Sequence, residues 1–282
     1  MFHRLASRPR RTVIPGLRLS LGLTLTYLVL IVLLPIAALL LKAADVGFAR
    51  YVAIMTSPRT LASFEVTIAT AAAATLFNCI YGLALAWVLV RYEFPGKRLL
   101  DALVDVPFAL PTAVAGLALT TLFAKNGWYG APLSFWGIQV AYAPAGIACA
   151  MAFTSIPFVV RTVQPVLEDL EPELEEAAAT LGASDGRILR TVILPALFPA
   201  FLAGASLAFA RSLGEFGAVV FIAGNQPFRT EIVALLTYIR LEEYDYPAAA
   251  AIAATLLGLA FLMLLLVNLI QAWHQRHSIG EA

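Results

Sequence analysis

Charge is scarce in this chain. Asp, Glu, Lys and Arg make up 13% of its 282 residues, about half their share in soluble domains, so they are too few to build an ordinary water-facing surface. The formal net charge is +1, which argues against a nucleic-acid partner, because phosphate backbones are held by a clear excess of Lys and Arg. There are two cysteines. Cys79 and Cys149 sit in separate apolar runs, where a thiol serves as a small hydrophobe rather than as part of a disulfide framework. The three histidines, His3, His274 and His277, fall in the two tails, and no metal is assigned to them despite the helical spacing of the last two. The phosphate-cradling pattern G-x-x-x-x-G-K-[ST] is also missing. Gly96-Lys97 is followed by Arg98, so the chain does not hold ATP by that device. What the chain has in quantity is apolar: 61% of its residues, more than a soluble core needs and enough to face lipid.

A helix rises about 1.5 Å per residue and the hydrocarbon core is about 30 Å thick, so a span needs on the order of 20 largely uncharged residues. Five runs without Asp, Glu, Lys or Arg meet that length or nearly so: residues 19–41, 66–90, 106–124, 137–160 and 248–270. A sixth is interrupted. It is apolar from Ala196 to Ala210, then meets Arg211 and Glu215, continues apolar over 216–222 and ends at the turn-like Gly224, Asn225 and Pro227. The pattern predicts one helix over about 195–216, followed by a re-entrant or extramembrane piece too short to cross alone.

Arg4, Arg8, Arg10, Arg11 and Arg18 precede the first run. That run is longer than the apolar region of a signal peptide and lacks a convincing cleavage site after it, so it is expected to stay as the first helix. With six spans and the N-terminus inside, 12 Lys and Arg fall on the cytoplasmic side and seven outside, the bias the positive-inside rule requires. A seven-span alternative splits the sixth run and exports the tail containing His274, Arg276 and His277. Pro35, Pro107, Pro111, Pro144, Pro157 and Pro199 fall inside spans, where kinks lining a pathway and the general abundance of proline in membrane helices are equally good accounts. The expected organisation is a tail, first helix and first outer loop over 1–60, a membrane core over 61–270 and a cytoplasmic tail over 271–282.

Between Val160 and Ala196 lies the longest predicted cytoplasmic loop, and it reads as two short helices. Pro172 suits a first helical position, Glu173, Glu175 and Glu176 favour the positive end of the helix dipole, and Gly182 suits the residue just past the end. Leu174, Ala177, Ala178 and Leu181 fall at i, i+3, i+4 and i+7, one narrow apolar stripe. A second helix starts at the cap Ser184, carries Ile188, Leu189, Val192 and Ile193 on its apolar side and runs to Pro195. A helix as short as the first is marginal in water, so its stripe must be covered. Anionic lipid does not suit it, because membrane-lying helices carry Lys and Arg on the polar face. The chain's own membrane ends and a groove on a cytoplasmic partner both remain.

Glu176-Ala177-Ala178, three residues, Gly182, nine residues, Val192, one residue, Leu194 and Pro195 resemble the EAA signature of bacterial ABC importer permeases, E-A-A-x3-G-x9-I-x-L-P, with Val at the Ile position. Residues 91–122, 152–164, 211–225 and 238–252 look like the sulfate/thiosulfate permeases of the CysT type, although 213–218 (LGEFGA) is similar in molybdate permeases too. The resemblance implies an all-α integral membrane protein of the bacterial inner membrane: a six-transmembrane-helix type I ABC importer permease, MetI-like, with a cytoplasmic coupling helix. It implies that Glu176, Ala177, Ala178, Gly182, Val192, Leu194 and Pro195 form the surface that couples to the ATPase. The implied partners are an ABC ATPase dimer that binds ATP and Mg, a second homologous permease subunit and a periplasmic sulfate- or thiosulfate-binding protein, with lipid around them. No cofactor is expected in this chain.

Two other chemistries compete with that reading. Gly182-Ala183-Ser184-Asp185-Gly186 matches the hydrolase pattern G-x-S-x-G, but a nucleophile elbow needs a strand before it and a histidine in reach, whereas this pentapeptide joins two predicted helices. No catalytic residue is assigned. A secondary transporter couples to ions through acids near the bilayer midplane, and the five clean runs contain none; Asn78 reads as a polar residue bonding a neighbouring helix. Arg211 and Glu215, at i and i+4 around Gly214, leave two readings: a structural ion pair near the outer interface, or a gate in which Arg211 meets a passing anion.

Overall fold

The computed structural model describes residues 17–279, with the backbone alone for Arg18 and residues 272–279. His3, Arg4, Arg8, Arg10 and Arg11 lie outside the described residues, as do the side chains of His274, Arg276 and His277. Among the described residues every regular element is helical: α1 (Leu19–Ala44), α2 (Phe48–Met55), α3 (Pro58–Arg91), α4 (Lys97–Val104), α5 (Val106–Ala109), α6 (Thr112–Phe123), α7 (Gly130–Phe135), α8 (Pro144–Glu168), α9 (Pro172–Thr180), α10 (Asp185–Leu213), α11 (Val219–Ile222), α12 (Val233–Glu242) and α13 (Tyr246–Ile279).

Five of these, α1, α3, α8, α10 and α13, are long and apolar enough to cross a membrane. The run 106–124 departs from the expectation of a single helix. Leu110 is extended, because a residue before proline is pushed out of the helical region, and Pro111 is non-helical too, with ψ 129°. The break leaves α5 and the 12-residue α6, about 18 Å long. The run 137–160 is also only partly helical: α8 begins at Pro144, after the left-handed residues Gly137 and Tyr142. One backbone bond ties this stretch to the bundle: the Tyr142 amide donates to the Ile222 carbonyl at 2.7 Å. The piece after the sixth run contains the four-residue α11, which packs on α6. An added Cβ on Gly116 would sit 2.3 Å from the Ala218 carbonyl oxygen. Four helical residues cannot cross, so the seven-span alternative has no seventh helix here.

The prolines divide by position. Pro107 and Pro144 lie in first helical turns, Pro111 breaks a run, and Pro157, Pro165 and Pro199 sit inside helices. Pro35 and Pro195 each follow a π-helical stretch, Leu28–Leu33 and Leu189–Ile193. A proline clashes with the carbonyl four residues back, and the wider π turn relieves that clash without ending the helix.

The centre of the bundle is α3, α8 and α10 packed on one another. Small residues permit the approach: a Cβ on Gly204 of α10 would lie 3.0 Å from the Val159 Cα of α8. One polar chain crosses the same three helices. Asn78 donates to the Ala152 carbonyl (3.1 Å) and the Ser155 hydroxyl (2.8 Å), and the Ser212 hydroxyl lies 3.2 Å from that of Ser155. Asn78 therefore bonds a neighbouring helix, as its sequence position suggested. α13 packs on α10, α12 and the end of α1, while α1 otherwise stays outside the core with its apolar side chains exposed.

Candidate functional site

The cytoplasmic loop is shorter than the hydropathy pattern suggested, because α8 continues to Glu168. α9 starts with Pro172 in its first turn, together with Glu173 and Glu175. Its end is a left-handed glycine stop. Gly182 has φ +83°, its amide donates to Ala179 O (2.9 Å), and the next amide, Ala183, reaches back to Ala178 O at 3.1 Å. That is the six-to-one and five-to-two pairing which satisfies orphan carbonyls at a helix end. Ser184 takes the capping position in extended backbone, but its side chain makes no capping bond. The second short helix is not a separate element. It runs through its π turn and past Pro195 into the membrane as α10, a rod of 29 residues.

The residues of the long spaced signature are brought together by this geometry. Ala178, Ala183 and Val192 pack against one apolar cluster that includes Ile188, Ile193 and Leu197. Glu176, Ala177, Gly182, Leu194 and Pro195 are exposed. The stripe predicted on α9 is only partly covered: Ala178 faces the body, whereas Leu174 is 50% and Leu181 89% exposed. The chain's own membrane ends therefore do not cover it. The G-x-S-x-G pentapeptide connects α9 to α10 and is largely exposed.

Arg211 and Glu215 sit at the end of α10. α10 runs from Asp185 to Leu213, about 43 Å. Ser212, next to Arg211, faces Ser155 near the midpoint of α8. The pair thus sits level with the middle of α8. Arg211 Nη1 is 2.6 Å from Glu215 Oε2. This is a contact of charges, since Oε2 has no aligned hydrogen bond. Glu215 is 1% exposed and its Oε1 accepts the Ala218 amide at 3.0 Å; Arg211 is one-third exposed. Gly214 ends α10 and is exposed, with open space where a Cβ would be.

Three charge pairings had no sequence signal, because their partners are remote in the chain. Arg59 clasps the buried Glu231 with two bonds of 2.8 and 2.6 Å, tying the outer end of α3 to the segment before α12. Arg161 of α8 holds Asp101 and Asp105 at 2.6 and 2.7 Å, fastening α4 and its C-cap to the inner end of α8. Arg91, the last residue of α3, pairs with Glu175 of α9 and stacks over Trp87, its guanidinium carbon 5.5 Å from the ring centre.

A family model described as binding-protein-dependent transport system inner membrane component matches residues 79–278. The chain is 53% identical to the sulfate transport system permease protein CysT of Salmonella typhimurium, over 96% of this chain and 98% of that one. It is equally similar to the protein of the same name from Escherichia coli. It is 50% identical to the Synechocystis protein of that name, over 90% of this chain and 89% of that one. Solved structures show the same fold. A bacterial ABC transporter involved in the import of the acidic polysaccharide alginate has a chain that superimposes with a TM-score of 0.72 at 16% identity, covering 91% of this chain and 94% of that one. The MetNI methionine ABC transporter, in an inward-facing conformation, gives 0.59 at 18% identity, covering 75% and 94%.

Proposed function

Because this chain belongs to the binding-protein-dependent transport system inner membrane components, we propose that it is the sulfate-conducting membrane subunit of an ATP-driven importer in the bacterial inner membrane. The observation that carries this reading is the 53% identity to sulfate permeases along nearly the whole chain. The exposed edge of α9 supports it, being an apolar strip that the chain itself leaves uncovered.

The chain's own residues divide the work by depth. At the cytoplasmic face Glu176, Ala177, Leu174 and Leu181 offer a small apolar edge flanked by acid, suited to a groove with basic rims on an ATPase subunit. Ala178, Gly182, Val192, Leu194 and Pro195 hold that edge at a fixed angle to α10. ATP and Mg are bound by the ATPase. At mid-depth Arg211 lowers the barrier that a divalent oxyanion meets on leaving water, its planar donor fork matching two oxygens at once. Glu215 keeps the guanidinium in place, and the exposed Gly214 leaves room beside it. A second permease subunit closes the other side of the pathway, and a periplasmic binding protein delivers the anion.

The test is purification of the chain with its ATPase and partner permease, followed by binding-protein-dependent uptake of labelled sulfate against excess thiosulfate or molybdate. The proposal expects the ATPase to co-purify, unlabelled thiosulfate to compete with sulfate, and molybdate to compete poorly. Preferential uptake of molybdate would overturn the sulfate assignment, and absence of the ATPase would overturn the importer reading.

A further inference from the structure

α9 touches the membrane body in two ways. Through the Gly182 turn and the Ala178–Ala183–Val192 cluster it rests on the start of α10. Through Glu175 it reaches the end of α3, where Arg91 donates to the carboxylate. Among the described residues this is the one ion pair between α9 and the rest of the chain. Its two side chains are about three-quarters buried, with 23% and 26% exposed. Arg91 is held on its other side by the Trp87 ring one turn back, and its Nε is buried without a hydrogen bond. The side chain has therefore been drawn out of water toward one acid and one ring, rather than left as a solvated surface charge.

The two contacts lead to different helices. α10 is a rigid continuation of the loop, so any displacement of α9 reaches it directly. α3 begins outside, crosses the membrane and ends at Arg91. It packs along both α8 and α10 and carries Asn78 of the polar chain that ends at Ser212, beside Arg211. We propose that the Arg91–Glu175 pair is a positioning link that carries movement of α9 into α3, so that α3 and α10 shift together around the mid-depth ion pair. This rests on the reading of α9 as the ATPase-facing helix. Glu175 is then a transmission residue on the inner face of α9, distinct from Glu176 on the exposed face. An ion pair suits the task because it is directional and strong enough to hold register.

The experiment uses the complete complex in proteoliposomes, with ATP hydrolysis and labelled sulfate uptake measured in the same vesicles for wild type, Glu175→Gln, Arg91→Gln and the double exchange Arg91→Glu with Glu175→Arg. Both single variants should retain the ATPase on purification and continue to hydrolyse ATP, while sulfate moved per ATP falls by about fivefold or more. The double exchange should restore most of that ratio. Wild-type ratios in the single variants, loss of bound ATPase in step with uptake, or failure of the exchange to restore the ratio would overturn the proposal. Failure of the wild-type complex to bind ATPase or take up sulfate would instead remove the functional reading beneath it.

Discussion

Arg211 and Gly182 show how much of this account rests on single side chains. Glu215 is buried and its nearest cation is Arg211, so Arg211→Gln strands a carboxylate. Breaking a buried pair costs about 3–5 kcal/mol, toward the lower end here because Arg211 keeps partial contact with solvent. The double variant Arg211→Gln with Glu215→Gln should recover most of the thermal stability. Uptake separates the two roles: a pair that only stabilises predicts that transport returns with the melting temperature, whereas the proposed gate predicts that transport stays low. Gly182 is a different case. Nothing lies within 4 Å of where its Cβ would be, yet its φ is +83°, so Gly182→Val meets no clash and is strained only in its backbone, by about 1–2 kcal/mol. Melting of the membrane body should barely move, while pull-down of the ATPase falls by about tenfold, since about 1.4 kcal/mol is a factor of ten in affinity.

At the scale of elements, α9 was the most legible part of the sequence and α10 the least. The stop at Gly182, the proline start and the acidic first turn are local rules, and each is present in the structure. The stripe was legible as a pattern but not in its use, because periodicity does not reveal which residues turn inward. Ala178 does so and Leu181 does not. Glu175 was read as a dipole partner in the first turn, and it also reaches Arg91, 84 residues away. No local spacing encodes such a pair, nor the Arg59–Glu231 clasp across 172 residues. α10 was misplaced because Pro195 reads as the foot of a new helix; the π turn before it lets the helix pass through. That one element carries Arg211 level with the middle of α8. Two substitutions test the α9 edge. Leu181→Asp changes a residue that is 89% exposed, so folding should change by no more than about 0.5 kcal/mol while ATPase pull-down drops markedly. Glu173→Gln touches only an exposed dipole contact worth about 0.3–1 kcal/mol, and pull-down should stay near wild type. Equal effects from the two would mean that the leucine edge is not the docking surface.

At the scale of the whole molecule, α3, α8 and α10 hold a polar chain with the Arg211–Glu215 pair beside its end, and α1 lies outside them. In the six-span topology the chain returns to its starting side, so a reporter fused after Ala282 should be active only if it works in the cytoplasm. Activity of a periplasm-dependent reporter would contradict the six-span topology. The apolar 61% accounts for the bundle and its lipid-facing surface, but not for the energy that drives transport. Glu215, the buried acid beside the gate, is already engaged by Arg211 and the Ala218 amide, which leaves it poorly suited to bind and release a coupling ion. On the proposed reading, energy enters through α9. The most direct test is accumulation of labelled sulfate by vesicles containing the complete complex, with the binding protein outside and ion gradients collapsed by ionophores, in the presence and absence of internal ATP. The account predicts accumulation with ATP and none without it. Sulfate accumulation driven by an imposed ion gradient in the absence of ATP would contradict it.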